Sequence, residues 1–142
     1  MYTYEYPRPA VTADTVVFAQ SPSEGLMVLL VRRGNEPYKD SWAFPGGFMN
    51  IDEDAETCAR RELEEETGLQ VSHMIQVGAF TAVDRDPRGR VMTVAYAALT
   101  QLQPVEGRDD ASEASWFPIN HLPPLAFDHE EILRKTLSIM NL

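Results

Sequence analysis

The segment Gly46–Leu69 constrains the fold more than any other part of this chain. It reads GGFMNIDEDAETCARRELEEETGL, in which a glycine pair and an acidic loop precede a predicted helix that is rich in glutamate. At about 100° per residue, Glu62, Glu65 and Glu66 fall within about 100° of arc on that helix. Because a stripe that begins small and apolar is a packed stripe, these carboxylates are predicted to lie on the packed side. The small residues on the same arc are Ala55, Cys58 and Ala59.

Three carboxylates on a packed face need a counter-charge, because clustered acids repel one another and raise each other's pKa values. A hard divalent metal supplies that charge, and Mg²⁺ uses carboxylates, waters and substrate phosphates as ligands. We therefore predict a metal-assisted phosphoryl reaction, in which the ion neutralises phosphate charge and activates a water. The Gly46–Gly47 pair would let the backbone approach the site and offer a carbonyl. The alternative interpretation is a solvated acidic run on a surface helix.

Composition bounds the class of protein. With 142 residues, of which 44% are apolar and 24% charged, the chain is predicted to form one globular domain over residues 1–142. A formal net charge of −10 argues against a duplex nucleic-acid surface, which needs clustered Lys and Arg. The single cysteine, Cys58, fits a reducing compartment as a small buried residue. Without an apolar run of membrane length or a signal-peptide pattern, we expect a cytoplasmic protein that binds neither nucleic acid nor a membrane.

The order of predicted elements is strands, helix, strands, helix, which indicates the α+β class with a mixed sheet covered by two helices. The first helix is predicted to start near Asp52–Asp54 and to stop at Gly68, and an amphipathic terminal helix is predicted to follow an Asp128 N-cap. The N-terminal Tyr2–Pro9 is predicted to be an edge strand or a packed arm. The predicted strands are Val11–Ala19, Leu26–Val31, Val91–Leu99 and Ser115–Pro118.

The same glycine-to-helix segment resembles the Nudix box, G-x5-E-x7-R-E-U-x-E-E-x-G-U with U aliphatic, at every fixed position. The family hydrolyses a diphosphate linked to another moiety, with Mg²⁺ or Mn²⁺, on an α/β/α sandwich. The resemblance therefore implies the same fold and a metal-dependent hydrolase here. The matching residues are Gly47, Glu53, Arg61, Glu62, Leu63, Glu65, Glu66, Gly68 and Leu69.

The resemblance also implies a role for each box residue. Glu64 occupies a variable position and is expected to be dispensable. The general base is left open, since family members use either a box glutamate or an acid before the last strand; Glu113 is our first candidate and Glu62 the alternative. The implied metal ligands are Glu62, Glu65, Glu66 and the Gly46 carbonyl, and the implied structural residues are Gly47, Gly68 and the ion-paired Glu53 and Arg61.

The wider pattern RRGNEP, WAFPGGF, DRDPRGR and FDH resembles the ADP-ribose pyrophosphatase-like branch of the family. That branch implies hydrolysis of ADP-ribose to AMP and ribose 5-phosphate. The arginines of the DRDPRGR loop, Arg85, Arg88 and Arg90, suit phosphate recognition, although ion pairs with Asp84 and Asp86 would equally account for them. His129 is expected to be a capping or packing residue. The candidate substrate-binding residues are Arg32, Arg33, Phe44, Arg85 and Arg88.

Two other functions remain open from the sequence. One is a pyrophosphohydrolase of oxidised nucleoside triphosphates, which would share the box. The other is a non-catalytic ADP-ribose sensor coupled to a DNA-binding domain, which the complete box, the acidity and the chain end at Leu142 disfavour. The residues do not predict the oligomeric state; by analogy with the branch, a homodimer would use the aromatic N-terminal arm as an exchanged edge strand.

Overall fold

The computed structural model describes residues 1–142 and confirms the predicted α+β class, with a mixed sheet and two helices. The strands are β1 (Ala10–Ser21), β2 (Gly25–Arg33), β3 (Trp42–Ala43), β4 (Gly46–Phe48), β5 (Ile75–Phe80), β6 (Val91–Leu99) and β7 (Ala111–Pro118). The helices are α1 (Ala55–Thr67) and α2 (His129–Met140). Neither helix combines the length and the apolar character that crossing a membrane requires.

The β1 strand is the centre of the sheet. It pairs antiparallel with β2 and with the short β4, and parallel with β6. The main order of strands is β3-β2-β1-β6-β5, while β7 pairs antiparallel with β2. The one parallel pair of strands makes the sheet mixed, and it places each β1 residue opposite one that is 81 residues further along the chain, as Asp14 is opposite Ala95.

Alternate residues of β1 point to opposite faces of the sheet and pack against different helices. Val16 and Phe18 belong to a core cluster with Ile132 of α2. Val17 belongs to a second cluster with Leu63 of α1. The sheet therefore lies between the two helices, as the sandwich interpretation predicted.

The predicted ends of α1 are confirmed. Asp54 is the N-cap, and its side chain accepts a hydrogen bond of 2.9 Å from the Thr57 N–H. Gly68 ends the helix with φ 76°, and its N–H donates to the Glu64 carbonyl. These two caps fix where the glutamate-rich turns stand relative to β4.

Two local predictions were wrong. Residues Tyr2–Pro9 form neither a strand nor a packed arm; they are exposed, with Tyr2 stacked on Tyr4 and Arg8 over the Tyr4 ring. Their prolines remove the N–H donors that a ladder needs. The last strand begins at Ala111 rather than Ser115, because it pairs with β2 as far as Arg33.

Candidate functional site

A cavity of about 330 Å³ opens where β1, β4 and the end of α1 meet the loops before β6 and α2. The cavity brings together most of the residues that the sequence singled out. Four of the predicted site residues lie outside its wall: Glu53, Glu65, Gly68 and Glu113. The predicted residues that line it are Arg32, Arg33, Phe44, Gly46, Gly47, Arg61, Glu62, Glu66, Arg85 and Arg88.

Glu66 is the most deeply buried carboxylate of the box, with 7% of its surface exposed. Its Oε1 accepts a hydrogen bond of 2.9 Å from the Gly46 backbone N–H. Burial raises the pKa of Glu66 to about 8, the hydrogen bond opposes that rise, and the charges of Glu62, Asp14 and Asp110 add to it. An acid in these surroundings is stabilised in its charged form by a nearby cation.

Glu62 lies directly over Gly47. A Cβ atom built on Gly47 would come within 2.5 Å of the Glu62 carboxyl carbon, so only glycine leaves room for this carboxylate. Burial raises the pKa of Glu62, although hydrogen bonding to Arg61 lowers it. The glycine pair therefore allows two acids of α1 to approach the backbone of β4.

Arg61 is the centre of an ion-pair network on the rim of the cavity. Its Nε donates to Glu53 Oε2 at 2.9 Å, and its Nη1 donates to Glu62 Oε1 at 2.8 Å and Glu65 Oε2 at 3.2 Å. The Glu53 carboxylate also accepts the Asn50 N–H, and the Arg61 hydrogen bond is the main reason why the pKa of Glu53 falls to about 2. Arg61 thus joins the acidic loop to α1 and also contacts two of the predicted metal ligands.

The donor set fits a hard cation, although no group of three His, Cys, Asp or Glu side chains converges closely enough to hold a metal ion as they stand. Glu62 and Glu65 are turned toward Arg61, and Glu66 is turned toward the Gly46 N–H. The donors are all oxygens, which Mg²⁺ prefers. The Gly46 N–H points to Glu66 of α1, and in a strand the carbonyl of the same residue lies on the same edge as its N–H. Glu64 is exposed on the other side of the helix.

Arginines from outside the box also line the cavity. The Arg33 guanidinium is half-buried, donates from Nε to the Pro37 carbonyl at 2.7 Å, and forms no ion pair. Burial lowers the pKa of Arg33, and the charge of Arg88 lowers it further. Arg88 pairs with Asp86 at 2.7 Å. The cavity therefore holds both the box acids and guanidinium groups, and of these arginines Arg33 has no ion-pair partner.

The other predicted substrate residues have protein partners. Arg85 is buried and pairs with Asp128 at 2.7 Å, rather than with Asp84 or Asp86. Phe44 is 2% exposed and stacks on His129, with ring centroids 5.1 Å apart. Arg32 lines the cavity and contacts the exposed Glu113 carboxylate at 3.3 Å, whereas Glu113 itself does not line the cavity.

Sequence reasoning missed two residues of the site, the buried Asp14 and the half-buried Phe127. His129 is buried and stacked on Phe44, which confirms the expected packing role. Asp14 accepts a hydrogen bond of 2.6 Å from the Thr93 hydroxyl. His129 Nδ1 accepts the Phe44 N–H at 3.0 Å, so the proton of the neutral ring lies on Nε2, 3.8 Å from Asp14 Oδ2. A carboxylate inside an otherwise apolar strand was the available signal for Asp14.

Comparisons with known proteins agree with this geometry. The family model of the NUDIX domain matches residues 8–136. The chain is 38% identical over 129 residues to the ADP-ribose pyrophosphatase of Methanocaldococcus jannaschii, covering 91% of this chain and 73% of that protein. It is 35% identical over 142 residues to the ADPR responsive transcriptional repressor NtrR of Acinetobacter baylyi, covering 96% of this chain and 56% of the repressor.

A solved structure is similar throughout. The NUDIX domain of Shewanella oneidensis NrtR, solved in complex with ADP ribose, superposes with a TM-score of 0.89 at 31% identity. The match covers 95% of this chain and 90% of that domain. Because the family model spans most of the sequence and these relatives share the whole fold, the chain belongs to the NUDIX domain family.

Proposed function

We propose that this chain hydrolyses ADP-ribose to AMP and ribose 5-phosphate, with Mg²⁺ as the metal and Mn²⁺ as a substitute. The observation that carries the proposal is the division of one cavity between buried acids and an Arg33 guanidinium that has no acidic partner. A metal-bound diphosphate is complementary to both groups, since the metal ion would neutralise the acids and the phosphate oxygens would accept hydrogen bonds from the guanidinium. The similarity to an ADP-ribose pyrophosphatase supports the choice of substrate.

The metal would be held by Glu62, Glu65, Glu66 and the Gly46 carbonyl. When bound, it supplies charge neutralisation at the phosphates and lowers the pKa of a bound water. Binding requires Glu62 and Glu65 to turn from Arg61, which retains Glu53 as its partner. The buried Glu66, with its raised pKa, gains most from the cation.

The reaction is a hydrolysis at phosphorus. The oxygen of water forms a new bond to one phosphorus, the bond from that phosphorus to the bridging oxygen breaks, and a base takes the proton from water. Of the two candidate bases, Glu62 lines the cavity, while Glu113 is exposed and paired with Arg32. We therefore favour Glu62 over our first candidate.

The arginines would bind the rest of the substrate. Arg33 has free guanidinium N–H groups in the cavity and is the first candidate for a phosphate contact. Arg88 and Arg32 also line the cavity, but each already pairs with a carboxylate, so their contribution to phosphate binding is expected to be smaller. Buried Arg85 would act indirectly, through its pair with Asp128.

A phosphate-release panel tests the proposal. Incubation with ADP-ribose and Mg²⁺ should yield AMP and ribose 5-phosphate, detected by chromatography, and EDTA should abolish the reaction. Glu65→Gln and Glu66→Gln should lose most turnover while the fold is retained, whereas Glu64→Gln, on the exposed side of the same helix, is the matched control. Turnover confined to oxidised dGTP would contradict the choice of substrate.

A second function is supported by the likeness to the repressor and to the solved domain that binds ADP ribose. In that case the chain would bind ADP-ribose as a sensor without hydrolysing it. Calorimetric binding of intact ADP-ribose with Mg²⁺ present, and no AMP after prolonged incubation, would favour the sensor. Light scattering at a range of protein concentrations would test the proposed homodimer.

A further inference from the structure

The aromatic ring of Phe127 lies among charged and polar groups instead of in the apolar core. It belongs to none of the three core clusters and lines the cavity. The Arg33 guanidinium lies 5.0 Å from its centroid and the Arg88 guanidinium 5.6 Å. Two cations that repel each other thus share one ring, whose π face attracts both.

The backbone at Phe127 adopts a conformation that bulky residues avoid. Its φ is 53°, in the left-handed region. Tyr38 has φ 58°, and its ring touches that of Phe127 with centroids 4.8 Å apart. Such outliers persist where surrounding contacts over-determine them, and they cluster at ligand sites.

Each guanidinium is held by a second contact as well. Arg33 is fixed by its hydrogen bond to the Pro37 carbonyl, beside Tyr38 in the chain. Arg88 lies 4.8 Å from the Phe48 ring and pairs with Asp86. Arg33 uses only Nε in its hydrogen bond, and Arg88 uses Nε and Nη2 toward Asp86, so both keep a free donor. An anion between them would satisfy these donors and relieve the repulsion.

We propose that Phe127 is a positioning residue: its ring, braced by Tyr38, holds Arg33 and Arg88 side by side as a seat for one phosphate of a diphosphate. This inference rests on the proposed function only for the identity of the full substrate. Phosphate binding does not depend on that identity, because two neighbouring guanidinium groups can bind phosphate oxygens in any phosphate compound. Phe127 itself makes no bond to the reacting atoms.

Phe127→Leu tests the proposal, because leucine keeps an apolar side chain at a similarly disfavoured φ and removes the π face. We expect KM for ADP-ribose to rise about tenfold while kcat stays within about twofold. Phe127→Tyr, which restores the ring, should return KM to within about twofold of wild type. Tyr38→Ala, which removes an exposed ring, should raise KM about threefold. This variant provides the test if Phe127→Leu folds poorly.

The matched control is Phe80→Leu. Phe80 also carries a cation, Lys135 at 5.3 Å, but it lies outside the cavity. The same ring removal there should leave KM unchanged. If Phe80→Leu and Phe127→Leu change KM equally, the effect comes from packing and the proposal is wrong.

Calorimetric binding of inorganic pyrophosphate in EDTA separates this proposal from the proposed function. Wild type should bind, and Phe127→Leu should bind about tenfold more weakly. This result supports the seat even if ADP-ribose is not hydrolysed. An unchanged pyrophosphate affinity in Phe127→Leu, or no binding to wild type, overturns the proposal even if ADP-ribose is hydrolysed.

Discussion

The Glu66 carboxylate accepts a hydrogen bond from the Gly46 backbone N–H at 2.9 Å, across the gap between α1 and β4. This is the one hydrogen bond that the nearly fully buried carboxylate receives, and the charges of Glu62, Asp14 and Asp110 act against its ionisation. The box glutamate is therefore in an environment that favours its neutral form until a cation arrives. The consequences of this environment can be measured as changes in stability and activity with pH and in substituted variants.

The first prediction concerns pH. Glu66 titrates at about 8 in the fold and near 4.5 when unfolded, so the folded state binds the extra proton between those values. In EDTA, the contribution of protonated Glu66 to the free energy of unfolding is fully present below the unfolded pKa. It is lost as pH rises toward 8, by an amount on the order of a few kcal/mol. Melting temperatures between about pH 5 and 8 should fall less steeply in Glu66→Gln than in wild type.

Metal provides the control for this pH effect. Added Mg²⁺ at the alkaline end should raise the melting temperature of wild type, because a cation stabilises the charged Glu66. Glu66→Gln should respond less, and Glu64→Gln should behave as wild type. A wild-type stability that is flat with pH and unaffected by Mg²⁺ would show that Glu66 is already compensated within the fold.

The second prediction contrasts the two adjacent glycines. Gly47→Ala would push against the Glu62 carboxylate, the movable end of a side chain, and should lower kcat about tenfold or more with little loss of stability. Gly46→Ala would place a Cβ 2.5 Å from the Ala13 carbonyl oxygen, which belongs to the backbone of β1. That variant should lose about 1–3 kcal/mol in denaturant unfolding. Equal losses of stability in both variants would contradict this distinction.

The third prediction separates the candidate bases. Glu113→Gln should retain kcat within about threefold, because the carboxylate is exposed, paired with Arg32 and outside the cavity. Glu62→Gln should lower kcat by about a hundredfold or more, which is the usual contribution of a general base. Steady-state kinetics with ADP-ribose measure both. The reverse order of effects would restore Glu113 as the base and imply that its loop closes over substrate.

The fourth prediction concerns the buried pair of Arg85 and Asp128. Their side chains are 3% and 15% exposed, so Asp128→Asn would leave a buried guanidinium without its counter-charge. The cost should be about 3–5 kcal/mol in the free energy of unfolding. Combining Arg85→Met with Asp128→Leu should recover most of that loss, since replacing both charges by apolar groups is often neutral. If the double variant is no more stable than Asp128→Asn, the pair holds the site through its hydrogen bonds.

Local signals predicted the first helix and its ends correctly, because caps and a 3.6-residue period act within a few residues. Asp54 and Gly68 end α1 as predicted, and Cys58 is buried on the predicted face. The helical arc placed Glu62, Glu65 and Glu66 together on the packed side, which was wrong for Glu65: its side chain is 44% exposed, while Glu66 is buried. That difference depends on how closely β4 approaches, which no local pattern contains.

The missed residues depend on long-range contacts. Asp14 and Thr93 meet because β1 pairs in parallel with β6, a register that the strand patterns alone did not determine. Phe127 adopts a positive φ that its residue type disfavours, and the sequence alone gives no signal for that conformation. The alternative that the loop arginines pair with Asp84 and Asp86 is confirmed for Arg88, which pairs with Asp86. It was wrong for Arg85, whose partner Asp128 is distant in the chain.

The pairing of β1 with β6 also determines when the cavity can form during folding. β1 and β2 can meet early through a short turn, but the chain must close a loop of dozens of residues before β6 reaches β1. Contacts of such sequence separation form slowly. The hairpin and α1 can therefore exist in a partly folded chain before Asp14 has its Thr93 partner, and ligand binding should be acquired late in refolding, together with the burial of β6.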